Sequence, residues 1–108
     1  MTDETETLKD VISVSELIHS PVRLAIIMFL LPRISASFPE IQRALDLTSG
    51  NLASHIKKME RGKLVEVRKE FIAAKPTTIV TLTTDGEKAI DEYSNILRNM
   101  LNMMEKES

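Results

Sequence analysis

From Thr48 to Val65 the chain reads TSGNLASHIKKMERGKLV, where Ser49, Asn51, Ser54, His55, Lys57 and Lys58 gather hydrogen-bonding groups and two cations on one segment. Such a set suits the recognition of anionic oxygens and polar edges by hydrogen bonding and charge. It does not suit covalent chemistry. With no cysteine there is no thiolate nucleophile, disulfide or thiolate metal site, and two histidines, His19 and His55, are too few for a histidine-built zinc centre. The serines fall at helix starts or on the same polar face, and no Gly-rich phosphate loop or nucleophile–base spacing is present. We therefore expect no enzyme activity, no cofactor and no bound metal.

Only Leu52, Ile56 and Met59 give this segment an apolar stripe, the narrow form of the helical i, i+4, i+7 pattern, so most of the helix must face something wet or charged. The net charge of -2 conceals an uneven distribution. Up to His19 five acids oppose one lysine, and from Thr84 onward six acids oppose three bases. From Ser20 to Thr83 ten bases oppose five acids, and seven of those ten lie between Lys57 and Lys75. A basic middle between acidic ends implies an anionic partner for the middle.

At 108 residues the chain is one domain's worth of sequence. The apolar run LAIIMFLL, Leu24 to Leu31, is too short to span a membrane, and the first ten residues are acidic where a signal peptide would be basic; a soluble cytoplasmic protein is expected. A first helix is predicted from about Thr7 to Ile18. Ser20–Pro21 starts a second, which ends at Pro32. Residues 34–37 suit a short strand, and Ser37 with Glu40 forms a capping box for FPEIQRAL. After a tight connection at Asp46 and Leu47, Thr48 caps the polar helix, with Gly62 at its end. LVEVRKEF (64–71) and TTIVTL (77–82) form a hairpin whose loop is IAAKP, and Thr83 or Thr84 caps a last helix running to about Glu105.

A short helix, a tight turn, a polar helix and a hairpin in this order make a winged helix-turn-helix. HSPVRLAIIMFLL (19–31), FPEIQRALDLTSGNLASHIKKME (38–60), LV (64–65) and LTTDG (82–86) resemble the small winged-helix transcriptional regulators of the MarR and ArsR type, particularly archaeal single-domain members. Where those regulators carry glycine directly before LV, this chain has Lys63, with Gly62 one residue earlier. The resemblance implies an α+β, mainly α fold: one domain over 1–108, with an N-terminal helix (1–19), a winged-helix core (20–83) and a C-terminal dimerisation helix (84–108). The recognition helix is expected at about 49–61 and the wing at about 64–82.

The partner so implied is double-stranded DNA. Ser49, Gly50, Asn51 and Ser54 put small or hydrogen-bonding residues on the first turns, where base edges are read, and Gly50 lets backbone come close to DNA. Lys57 and Lys58, with Arg68, Lys69 and Lys75 on the wing, suit phosphates. His55 is either a half-buried structural residue or a DNA contact, and His19 is expected to pack locally. Glu60 and Arg61 read as surface ions. Leu8, Val11 and Ile12, with Tyr93, Ile96, Leu97, Met100, Leu101 and Met104, widen the apolar faces of the terminal helices beyond one small core and suit a homodimer interface. The expected function is a sequence-specific, homodimeric DNA-binding transcription regulator without a membrane association. The alternatives are a winged helix used for protein–protein interaction and a nucleoid-type protein of low sequence preference. Operator, target genes, the sign of regulation and any small-molecule effector leave no mark in the sequence.

Overall fold

The computed structural model describes residues 16–107, so the expected first helix, with Leu8, Val11 and Ile12, lies almost wholly outside the described residues. Residues 16–18 are helical and lead into α1 (Pro21–Leu30), followed by β1 (Ser35–Ser37), α2 (Phe38–Leu45), α3 (Ser49–Arg61), β2 (Val65–Ile72), β3 (Lys75–Leu82) and α4 (Thr84–Glu107). The strands form one antiparallel sheet in the order β1-β3-β2. The fold is thus mainly helical with a small sheet, a winged helix-turn-helix.

Each helix starts where a side chain satisfies a backbone N–H that the helix leaves without a partner. The hydroxyl of Ser20 accepts from Arg23 N–H at 3.3 Å, with Pro21 at the first position of α1. Ser37 and Glu40 form the full reciprocal box at α2: Ser37 N–H donates to the Glu40 carboxylate at 3.2 Å and Glu40 N–H to the Ser37 hydroxyl at 3.2 Å. The bond from Ser37 N–H holds the Glu40 carboxyl below its ordinary pKa, assisted by the Ser37 hydroxyl. Thr48 caps α3 by accepting from Asn51 N–H at 3.1 Å.

Helix ends differ more from expectation. Asp46 closes α2 in the left-handed region at φ 52°, and Leu47 N–H reaches back to Gln42 O at 3.1 Å. At the end of α3, Lys63 N–H donates to Glu60 O at 3.0 Å and Leu64 N–H to Met59 O at 2.9 Å, the paired bonds of a Schellman motif. The left-handed residue of that motif is Lys63 (φ 62°), while Gly62 has an ordinary φ of -81°. Gly62 thus ends α3 as its C-cap, as the sequence suggests, and the left-handed reversal falls on the next residue. A Cβ at Gly62 would run into the Leu17 side chain, so glycine leaves room for the packing of residue 17.

The hairpin is also longer and tighter than expected. The register Ile72↔Lys75 leaves Ala73 and Ala74 as a two-residue turn, both with positive φ (52° and 65°), the hand of a type I′ turn. Pro76 is consequently not at the loop tip but within β3, opposite Phe71 and beyond the stretch that β1 covers. There its missing N–H costs no sheet hydrogen bond, because the alternation of antiparallel pairs points that position outward.

Thr83, not Thr84, joins the wing to α4. Its hydroxyl accepts from Gly86 N–H at 2.9 Å and lies 2.6 Å from Lys63 O and 2.9 Å from Leu64 O, while its N–H donates to Leu64 O at 3.0 Å. One threonine thereby ties together the end of α3, the start of β2 and the start of α4.

The core gathers Ile18, Ile26, Ile27 and Leu30 from the first segments, Ile41 from α2, Leu52, Ile56 and Met59 from α3, Val65, Val80 and Leu82 from the wing base, and Ala89 and Tyr93 from α4. Tyr93 is only 6% exposed and packs edge-on against His19, whose Nδ1 lies 2.8 Å from the tyrosine oxygen. It belongs to this chain's own core, unlike the interface set in which the sequence placed it.

Candidate nucleic-acid interface

Leu52, Ile56 and Met59 of α3 are buried, His55 is half-buried, and the other residues of the helix are exposed. At a helical step of about 100° per residue, Gly50, Ser54, Lys57 and Arg61 fall on the stripe opposite the buried one. Arg61, a surface ion on the sequence reading, joins that outward stripe by the steps i, i+4, i+7 and i+11 from Gly50. Ser49 stands at the first helical position beside the Thr48 cap.

The flanks of the stripe face different neighbours. On the wing side, Gly50, Ala53, Ser54, Lys57 and Glu60 form one wall of a groove whose other wall is Val67, Lys69 and Thr78. Its volume is about 840 Å³. On the other side, Lys58 and Arg61 border a hollow with Arg23, Leu17 and Glu16. The adjacent lysines thus serve opposite edges: Lys57 the groove, Lys58 the α1 side. Asn51 is exposed on that second flank.

His55 is half-buried, with Nδ1 3.2 Å from an Arg23 guanidinium nitrogen. Arginine can only donate, so the ring accepts at Nδ1 and its proton sits on Nε2. Burial first, and then the nearby charges of Arg23 and Lys58, push the His55 pKa below its ordinary value. Arg23 is held in turn by Leu17 O at 2.6 Å and Glu16 O at 3.4 Å. Between the two readings left open by the sequence, this geometry favours a residue that seats α3 on α1 over one on the outward stripe.

Register divides the wing cations in the same way. Val65, Val67, Lys69 and Phe71 alternate onto the face of β2 that carries the buried wing base, whereas Glu66, Arg68, Glu70 and Ile72 lie on the other. Lys69 therefore shares a face with α3. Arg68 does not: it pairs with Glu70 at 2.7 Å and donates to Thr81 Oγ1 at 2.8 Å, so its charge is committed within the wing. Lys75 is exposed next to the turn. Among the described residues, no group of three or more His, Asp or Glu side chains is placed to hold a metal ion, and no helix is long and apolar enough to cross a membrane.

Comparison with known proteins agrees with this architecture. An uncharacterised protein of Methanocaldococcus jannaschii is 33% identical over 78 residues, which make up 72% of this chain and 85% of that protein. The structure of a transcriptional regulator homologue from Pyrococcus horikoshii OT3 is 43% identical, with a TM-score of 0.75 over 91% of this chain and 97% of that one. A structure described as a MarR-family transcriptional regulator from Enterococcus faecalis V583 superimposes with a TM-score of 0.77 over 99% of this chain and 94% of that one, and at 22% identity it speaks for the fold alone. The family model for the winged helix DNA-binding domain matches residues 22–101, and on that match the chain belongs to the family of winged helix DNA-binding domains.

Proposed function

We propose that the chain is a sequence-specific transcription regulator that binds double-stranded DNA as a homodimer. One observation carries the reading: α3 exposes Gly50, Ser54 and Lys57 along one stripe, and the wing continues that surface through Lys69 across a shared groove. A helix with this outer face fits the major groove, with phosphates meeting Lys57, Lys58, Arg61 and Lys69, and base edges meeting Asn51, Ser54 and Ser49. Arg68 acts within the wing, and Lys75 meets the backbone from the tip. The pairing surface is the outer part of α4, where Leu97, Met100, Leu101 and Met104 are exposed beside half-buried Ile96; Leu8, Val11 and Ile12 would join it. The 43% identity to a transcriptional regulator homologue from Pyrococcus horikoshii OT3 supports the regulatory role.

Fragments selected from random duplex DNA test the reading. Lys57→Ala with Lys58→Ala should weaken binding to selected and random sequences alike and lower the salt dependence by up to about two phosphates' worth of slope. Asn51→Ala or Ser54→Ala should instead narrow the gap between selected and random DNA. Failure to enrich any sequence would favour a low-specificity DNA coat, and no retention of DNA at low salt would favour a protein-interaction module.

A further inference from the structure

Every exposed residue of α3 is polar, charged or glycine except Ala53, whose side chain is a bare methyl group. The larger apolar side chains of the helix, Leu52, Ile56 and Met59, are committed to the core. Ala53 lies on the wing flank of α3, in the wall of the groove that faces Val67 and Lys69. Ser49 and Gly50 stand one turn before it and Ser54 follows it, so its exposed neighbours toward the helix start are all short. A Cβ added at Gly50 would meet nothing within 4 Å, and that part of the helix is open to a close approach. Helix propensity does not account for the arrangement, because glycine and serine on the same surface give up what alanine gains.

We infer that Ala53 is a specificity-determining residue for thymine, its methyl group packing against the C5-methyl of one thymine in each half-site of the DNA. The inference rests on the DNA-binding reading above and adds to it a base contact made without hydrogen bonds. In the major groove the four bases present donors, acceptors and a single hydrocarbon group, the thymine methyl. The one exposed hydrocarbon side chain of α3 therefore has one match. An amino group of adenine or cytosine set against Ala53 would lose a water partner and gain none, which disfavours those edges. Carbon surface continues along the groove in half-buried Phe38 and Val67, and a duplex seated there would cover it together with the Ala53 methyl.

Deoxyuridine in place of thymidine removes the C5-methyl and leaves every hydrogen-bonding group of the base pair unchanged, so it isolates the contact. Each thymine of a duplex enriched from random DNA is replaced in turn, and affinity is measured for the parent and for Ala53→Gly. In the parent, one thymine per half-site should be sensitive, with binding weakened about fourfold per replacement, the effect of exposing one methylene-sized group. Ala53→Gly should bind the thymine duplex more weakly than the parent does, by about the same factor per half-site, and show no further loss with uracil at that position. A parent insensitive to uracil at every thymine would sink the contact whatever the variant does. A sensitive thymine whose replacement weakens Ala53→Gly equally would assign its reading to another residue and overturn the role of Ala53. In both cases sequence-specific DNA binding would stand. A parent that enriches no sequence would overturn that reading itself, and the thymine contact with it.

Discussion

At the scale of single residues, the three glycines separate by what a methyl group at each would meet. At Gly86 it would meet the Leu64 carbonyl and the Leu82 side chain, and at Gly62 the Leu17 side chain; at Gly50 nothing lies within 4 Å. Gly50→Ala should therefore stabilise the free protein by up to about 1 kcal/mol through helix propensity, yet weaken DNA binding if backbone approaches DNA there. Unchanged DNA affinity in a stabilised Gly50→Ala variant would show that the close approach is not used. Gly86→Ala should lower stability by about 1–3 kcal/mol, as overpacking against backbone does. A titration belongs to this scale too. The His55 pKa is lowered in the folded chain, so between that value and the ordinary one of about 6.5 the unfolded chain binds more protons and stability falls as pH drops. Denaturant melts at neutral and mildly acidic pH should show that decline, and a His55→Gln variant with the same decline would assign it elsewhere.

At the scale of elements, what was legible in the sequence divides by mechanism. Helix starts depend on residue types that act locally, which is why Ser20, Ser37 and Thr48 are legible as caps in the sequence. The narrow stripe of Leu52, Ile56 and Met59 was legible for the same reason, as a period. Chain reversals were not. Asp46, Lys63, Ala73 and Ala74 take left-handed φ without being glycine, and Ile34 does so despite its branched Cβ (φ 68°); in each case the surrounding fold overrides local preference. Arg68 and Lys69 alternate faces on any strand, but which of them shares the face of α3 depends on the register, and so on the turn at Ala73 and Ala74 that the proline in the sequence hides. The α3–β2 corner offers the direct test. Because Lys63 holds the Schellman position, Lys63→Gly should stabilise the chain by roughly 1–2 kcal/mol, the cost of the left-handed conformation for a residue with a Cβ. A destabilised variant would mean that the Lys63 side chain contributes more than its backbone strain costs.

At the scale of the whole molecule, α4 divides into a buried first part and an exposed apolar second part. Its first part is core: Gly86, Ala89 and Tyr93 are buried, and Tyr93 meets His19. Sequence periodicity ran both parts together, since a helix facing its own core and one facing a second copy repeat alike; only the position of the core divides them at about Ile96. Beyond it, Leu97, Met100, Leu101 and Met104 recur at steps of three and four and are exposed, Met104 by 66%. The helix has 24 residues, about 36 Å at 1.5 Å per residue, more than a small domain needs to cover one side. A second copy laid along that stripe would bury it, with methionine adapting to gaps in the contact. Two-fold pairing would also set two copies of α3 about one DNA turn, roughly 34 Å, apart. The location of Tyr93 decides how to test this, because a chain cut near Asp91 would lose a core residue as well as the stripe. Met100→Glu with Leu101→Glu places two like charges on the exposed stripe and leaves the core alone. That variant should sediment as a monomer at micromolar concentration, keep its melting behaviour at the level of a folded domain, and bind selected palindromic DNA about a hundredfold more weakly through loss of bivalency. A parent chain that is already monomeric, or a double-glutamate variant that still pairs and binds as tightly, would remove α4 from the interface.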